Sequence, residues 1–211
     1  MRVSAYRSLE HQPTLFAADL KSSAAVRNVC GEFAELCTSR LTYARRMRTD
    51  SRAEICPDLH LEDNVYFECK SVGRNNFTII YQHRQEKDLR FVENGNELFY
   101  WIWHHNGRVG SAASADDARR ILAAGLSGLY VLGHAVLSDL LSGPTVTLNS
   151  HYYSNHRADA FRGSGWKLKI RDIRNVCGPV GTTAPMWIRG VPVRSVPVYS
   201  SCYGSRLSFW G

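Results

Sequence analysis

Pro57-Asp58, nine further residues and then Glu68-Cys69-Lys70 put two carboxylates and an ammonium into one short stretch of this 211-residue chain. Two carboxylates around one divalent cation, with a lysine beside an attacking water, are the minimum equipment for metal-assisted phosphodiester hydrolysis. Mg²⁺ takes one or two protein carboxylates and fills its other positions with water and phosphate. Asp58 and Glu68 are therefore candidate metal ligands, and Lys70 is a candidate to orient water or to stabilise charge on the phosphate. The same residues also fit an ordinary surface hairpin in which Glu68 and Lys70 form a salt bridge.

Those side chains need a scaffold, and the flanking sequence predicts one. Residues 53–61 and 65–72 read as two strands joined by the polar turn Glu62-Asp63-Asn64. A hairpin centred on Asp63 sets Asp58 opposite Glu68, where like charges about 4.5–5.5 Å apart repel unless a cation lies between them. Alternation along the strand puts Lys70 on the same face as Glu68. The same register brings His60 to the Asp58 face, as a candidate substrate contact. Upstream, residues 22–47 carry apolar side chains at helical spacing, from Val26 through Val29, Phe33, Cys37 and Leu41. With Val26 at the centre of the apolar face, Glu35 is expected to point into solvent and Glu32 to lie on the flank. Downstream, residues 77–83 read as a third strand, with Gln82, His83 and Arg84 at its end as candidate phosphate contacts. Residues 89–92 and 97–105 read as a further hairpin around Asn94-Gly95.

Asp58 followed by Glu68-Cys69-Lys70, on a hairpin behind a helix, resembles the PD-(D/E)xK nuclease superfamily. The resemblance covers about residues 22–105. It implies a restriction-endonuclease-like α/β core, with a mixed central sheet and flanking helices. It implies Mg²⁺-dependent (or Mn²⁺-dependent) hydrolysis of DNA, with Asp58, Glu68 and the Cys69 carbonyl on the metal and Lys70 positioning water. A helical glutamate near the metal is a frequent feature of that family, and Glu32 is the candidate here. A restriction-type enzyme and a junction or repair nuclease both fit the chain's size, and a homodimer on duplex DNA is the expected assembly.

Charge supplies a second line of argument. The chain is net +7 with a pI near 9.2. Residues 142–211 hold nine Lys or Arg against two acids, so residues 1–141 are neutral. Basic residues such as Lys167, Lys169, Arg171 and Arg174, interleaved with aromatics, suit a phosphate-binding face. The expected organisation is a nuclease core over 1–141 and a basic, aromatic-rich extension over 142–211. Non-catalytic nucleic-acid binding or nucleoprotein assembly is the alternative.

Ser114 followed by Asp116-Asp117 predicts a helix start, with helix over 118–141 broken near Gly125 to Gly128. Residues 121–138 lack charge, but their glycines, serines and His134 favour a buried helix pair over a membrane span. The N-terminus lacks the apolar core of a secretion signal. Six cysteines without CxxC spacing read as reduced thiols, so the expectation is a cytoplasmic protein with no membrane partner.

Overall fold

The computed structural model describes residues 23–47, 57–153, 161–182, 186–188, 191–193 and 195–202. Helix α1 (Ser23–Thr42) leads into the short strands β1 (Arg45–Arg46) and β2 (Leu59–His60), then β3 (Val65–Val72) and β4 (Phe77–Tyr81). Helix α2 (Gln82–Glu93), strand β5 (Glu97–His105), helix α3 (Ala115–Gly125), strand β6 (Leu126–Gly133) and helix α4 (His134–Ser142) follow. The remainder is β7 (Leu148–Tyr153), β8 (Phe161–Lys169), the short helix α5 (Ile170–Arg174), β9 (Gly178–Thr182), β10 (Met186–Ile188), β11 (Val191–Val193) and β12 (Pro197–Ser200).

The architecture is α/β, built on a mixed seven-stranded sheet in the order β1-β2-β3-β5-β6-β12-β9. Strands β4, β8 and β7 form a second sheet, and β10 pairs with β11. The central strands β5 and β6 are buried along nearly their whole length, as near-continuous apolar runs covered on both faces must be. Alternation divides their side chains between two cores. Trp101, Trp103, Leu129 and Val131 pack with Phe33 and Cys37 of α1 and Leu122 of α3. Tyr100, Ile102, Tyr130 and Leu132 pack on the other face with Leu137 and Leu141 of α4 and with Ile80 and Leu168 of the second sheet. Thr38 of α1 accepts a hydrogen bond from the buried Trp103 indole N–H at 2.9 Å, tying helix to sheet.

Several expectations hold. Strand β3 spans residues 65–72, and β2 pairs with it antiparallel as Leu59↔Phe67 and His60↔Tyr66, the register centred on Asp63. Asp63 takes the left-handed φ of 53° at that turn. Ser114 caps α3 by accepting from Asp117 N–H at 3.1 Å.

Others are corrected. The helix expected to run to 47 stops at Thr42, and Arg45 and Arg46 turn back to pair with His60 and Leu59. The third strand ends at Tyr81, and residues 82–93 are helical. The hairpin expected around Asn94-Gly95 is instead the C-terminus of α2. Gly95 has φ +87° and its N–H bonds to the Val92 carbonyl at 2.9 Å, the left-handed ending that glycine supplies without steric penalty. The crossover through β4 and α2 lets β5 lie parallel to β3, where a hairpin of residues 89–92 with 97–105 was expected. The apolar stretch expected as one broken helix is helix, strand and helix, with β6 antiparallel to β5. Among the described residues no helix is long and apolar enough to cross a membrane. From the C-terminal third, β8 pairs with β4 in the second sheet, and β12 and β9 join the central sheet.

Candidate functional site

The pairing of β2 with β3 ends at Leu59↔Phe67, so among the described residues no strand pairs with this edge of β3 beyond Phe67. Asp58 fills the first position. Its Oδ2 accepts a 2.7 Å hydrogen bond from the Cys69 N–H, while its own carbonyl accepts from Met47 N–H at 2.9 Å. In an extended strand the N–H and C=O of one residue point to the same side, so the Cys69 carbonyl leaves β3 on the side of the Asp58 carboxylate.

Glu68 and Lys70 point to the opposite face from Cys69, which is buried with Phe67 in the α1 core. Glu68 is almost fully buried. Its Oε1 lies 2.5 Å from Lys70 Nζ and its Oε2 lies 2.5 Å from Arg84 Nη2. Arg84 Nε also lies 3.1 Å from Asp88 Oδ1, one helical turn along α2. Asp88 in turn accepts from the Tyr100 hydroxyl, which itself accepts from Gln85 Nε2 at 2.7 Å. A buried polar chain thus runs from Glu68 through α2 to the central strand β5.

Electrostatics follow from this crowding. Burial lifts the Asp58 carboxyl from its ordinary 3.8 to about 7, with Glu68 and Glu35 adding and Lys70 and the Cys69 N–H opposing. Burial likewise raises Glu35, against the pull of Arg46. For Lys70, burial works against the charge, but Glu68 and Asp58 outweigh it and raise the pKa.

Neither Glu35 nor Glu32 lies where it was expected. Glu35 is only 18% exposed. It pairs with Arg46 Nε at 2.5 Å and is near enough to Asp58 and Glu68 to raise the Asp58 pKa. Glu32 is buried at the contact between α1 and α3, where Oε2 lies 3.1 Å from Arg119 Nη2. The broad apolar face of α1, reaching from Val29 to Ala34 and Cys37, rotates both residues away from their expected directions. Glu35 escaped the sequence reading because a helical wheel centred on Val26 places it in solvent. The basic pair Arg45-Arg46 after the helix was the only hint of a partner for it.

His83 and Arg84 sit in the first turn of α2 and not at a strand end. His83 is exposed, with its ring 5.8 Å from that of Tyr81, and Arg84 turns inward to Glu68. His60 Nε2 lies 3.0 Å from the Asp63 carbonyl and its ring stacks on Tyr66, so it is held at the hairpin turn. Lys167, Lys169, Arg171 and Arg174 are brought together. They line a cleft of about 620 Å³ with three asparagines, beyond the end of β3, and no carboxylate is among its lining residues.

As a metal site, the donor set is Asp58, Glu68 and the Cys69 carbonyl. No group of three His, Cys, Asp or Glu side chains among the described residues is arranged to hold a metal ion. Two carboxylates and a main-chain oxygen are nonetheless hard donors of the kind Mg²⁺ takes. The raised Asp58 pKa comes from burial first and from Glu68 second, and a cation beside it would oppose both. Comparison with models of known families, with curated proteins and with solved structures gives no match to this chain.

Proposed function

We propose that the protein is a metal-dependent endonuclease that hydrolyses phosphodiester bonds in DNA, with a restriction-endonuclease-like core. The observation that carries this reading is the bond from the Cys69 N–H to the Asp58 carboxylate. It draws the Pro-Asp pair against the Glu-x-Lys tripeptide at a strand edge, with a third carboxylate, Glu35, close by. Asp58, Glu68 and the Cys69 carbonyl would hold Mg²⁺ or Mn²⁺, which when bound would neutralise phosphate charge and make water more acidic. Lys70, 27% exposed, would orient the attacking water and stabilise charge on the phosphate. Arg84 would act as a positioning residue that holds the Glu68 carboxylate against β3. The basic cleft would keep the strand on the enzyme. Restriction-type and junction or repair activities, and a dimer on duplex DNA, belong to the same reading.

One observation favours a second reading. Both oxygens of Glu68 are already held by Lys70 and Arg84, as they would be in a structural ion-pair network of a protein that binds nucleic acid without cutting it. The test is incubation with supercoiled plasmid and short duplexes in Mg²⁺, Mn²⁺ or EDTA, beside folded Asp58→Ala and Lys70→Ala variants. Metal-dependent cutting lost in both variants supports the nuclease. Salt-sensitive binding with no cleavage supports the second reading.

A further inference from the structure

The cleft beyond β3 contains one neutral side chain that the fold holds in a fixed orientation. Asn76 sits in the turn between β3 and β4 with φ 54°, a left-handed conformation that asparagine tolerates better than most residues. Its N–H bonds to the Gly73 carbonyl and its carbonyl accepts from Ile170 N–H, each at 2.9 Å. Its side-chain Oδ1 lies 2.7 Å from Nε2 of the buried His104. Oδ1 only accepts, so with the amide in this orientation Nε2 is the donor, while Ser127 Oγ lies 2.8 Å from Nδ1 and 3.2 Å from the His104 carbonyl, to which it donates. Burial, with Arg174 nearby, lowers the His104 pKa. Backbone and amide oxygen are thus satisfied, and the Nδ2 amide hydrogens of Asn76 are the donors left for the cleft it lines.

Around this donor stand the four cations. Arg174 is held through Nε to the Tyr130 hydroxyl at 2.8 Å, and Lys167 Nζ lies 4.1 Å from the Phe77 ring centroid. Among the described residues no carboxylate pairs with Lys167 or Lys169. Arg171 is 73% exposed, with Asp172 at 3.5 Å. Directed amide donors beside four cations that share one carboxylate, Asp172, match an oxyanion carrying several acceptor oxygens and more than a diffuse charge.

We infer that this cleft is a phosphate site, in which Asn76 donates to a phosphate oxygen of a nucleic-acid strand and Lys167, Lys169, Arg171 and Arg174 supply the charge. The inference deepens the nucleic-acid reading and rests on it only for the identity of the strand. The cleft opens at the turn that follows β3, whose last residue, Val72, lies two residues past Lys70, so the site would hold the strand beyond any bond cut beside Lys70.

The test separates binding from cleavage. Anisotropy of a fluorescein-labelled oligonucleotide is measured in EDTA with the full chain, with and without a terminal phosphate on the strand, and with inorganic phosphate as competitor. Asn76→Asp keeps an acceptor for His104 but removes the donor and adds a negative charge. Lys87→Ala, exposed on α2, changes net charge equally away from the cleft. Asn76→Asp is expected to weaken binding about tenfold or more, with Lys87→Ala near the parent. Lys169→Ala is expected to lower the slope of log K against log salt by about one. Dependence on the terminal phosphate, or displacement by inorganic phosphate, identifies a phosphomonoester, and indifference to both an internal diester. Equal binding by Asn76→Asp and Lys87→Ala overturns the inference, whatever the cleavage assay gives. If Asn76→Asp does not fold, Arg171→Ala with Lys169→Ala carries the same comparison, and an unchanged salt slope overturns it.

Discussion

Glu32→Gln is expected to weaken the fold and leave the chemistry in place. The Glu32 and Arg119 side chains are 7% and 4% exposed, with Oε2 3.1 Å from Nη2. Removing one member of a buried pair costs about 3–5 kcal/mol, because the other charge remains where water cannot solvate it. Arg119 keeps a second partner, as Nη1 lies 2.5 Å from Asp116 Oδ1, and Asp116 is 70% exposed. That residual compensation puts the loss at the lower end, about 3 kcal/mol. With a urea m-value of about 2 kcal/mol/M, the midpoint should fall by about 1.5 M at unchanged slope. Glu32→Leu and Arg119→Met should each destabilise. Their combination should recover much of the loss, since apolar replacement of a whole buried pair is close to neutral, giving a coupling of about 1–3 kcal/mol. Under the proposed nuclease reading, Glu32→Gln, assayed where it is fully folded, should keep the parent's metal dependence and a cleavage rate within a few fold. Glu35→Gln, next to Asp58 and Glu68, should lower the rate by more. The reasoning is refuted if Glu32→Gln unfolds at the parent midpoint, or if the folded variant loses cleavage altogether, since the second result would put Glu32 at the reacting atoms.

Asp58 titrates near 7 in the folded protein against 3.8 ordinarily, so between about pH 4 and 7 the folded state holds a proton that the unfolded chain has released. Its contribution to stability is therefore greatest below pH 4 and falls as pH rises to 7, by about 4 kcal/mol at the limit. Asp58→Asn, which keeps an acceptor for Cys69 N–H, should be more stable than the parent at pH 8 without divalent cations and similar at pH 4. Mg²⁺ should narrow the gap. Denaturant curves across pH that run parallel for the two proteins would contradict this. Thr38→Val removes the acceptor of the buried Trp103 N–H and should cost about 1–3 kcal/mol in thermal unfolding. A β-carbon at Gly125 would stand 2.6 Å from the Gly107 nitrogen, so Gly125→Ala should lose about 1–3 kcal/mol. An unchanged melting temperature would show that the β5–α3 loop gives way.

The local elements were legible where one residue type leaves the backbone little choice. Glu62-Asp63-Asn64 fixed the hairpin register, because a polar turn at one position sets every pair beyond it. Ser114 and Asp117 marked a helix start for the same local reason. The residues that would do chemistry, Asp58, Glu68 and Lys70, followed from that register, and the edge contact between Asp58 and Cys69 agrees with it. Helix α2 was not legible, because its buried residues are the polar Gln85 and Asp88 and carry no apolar period. The i,i+4 pair of Arg84 with Asp88 was the available signal. Strand β6 was hidden for a related reason, since a strand buried on both faces and a buried helix give the same unbroken apolar run. The sequence by itself determined turns, caps and the composition of a basic C-terminal third. Tertiary structure decided that β5 runs parallel to β3, that Glu35 lies near enough to Asp58 to act on its pKa while Glu32 pairs with Arg119, and that the cations of residues 167–174 share one cleft with Asn76. Each depends on which faces pack together, a choice made by burial summed over the whole sheet.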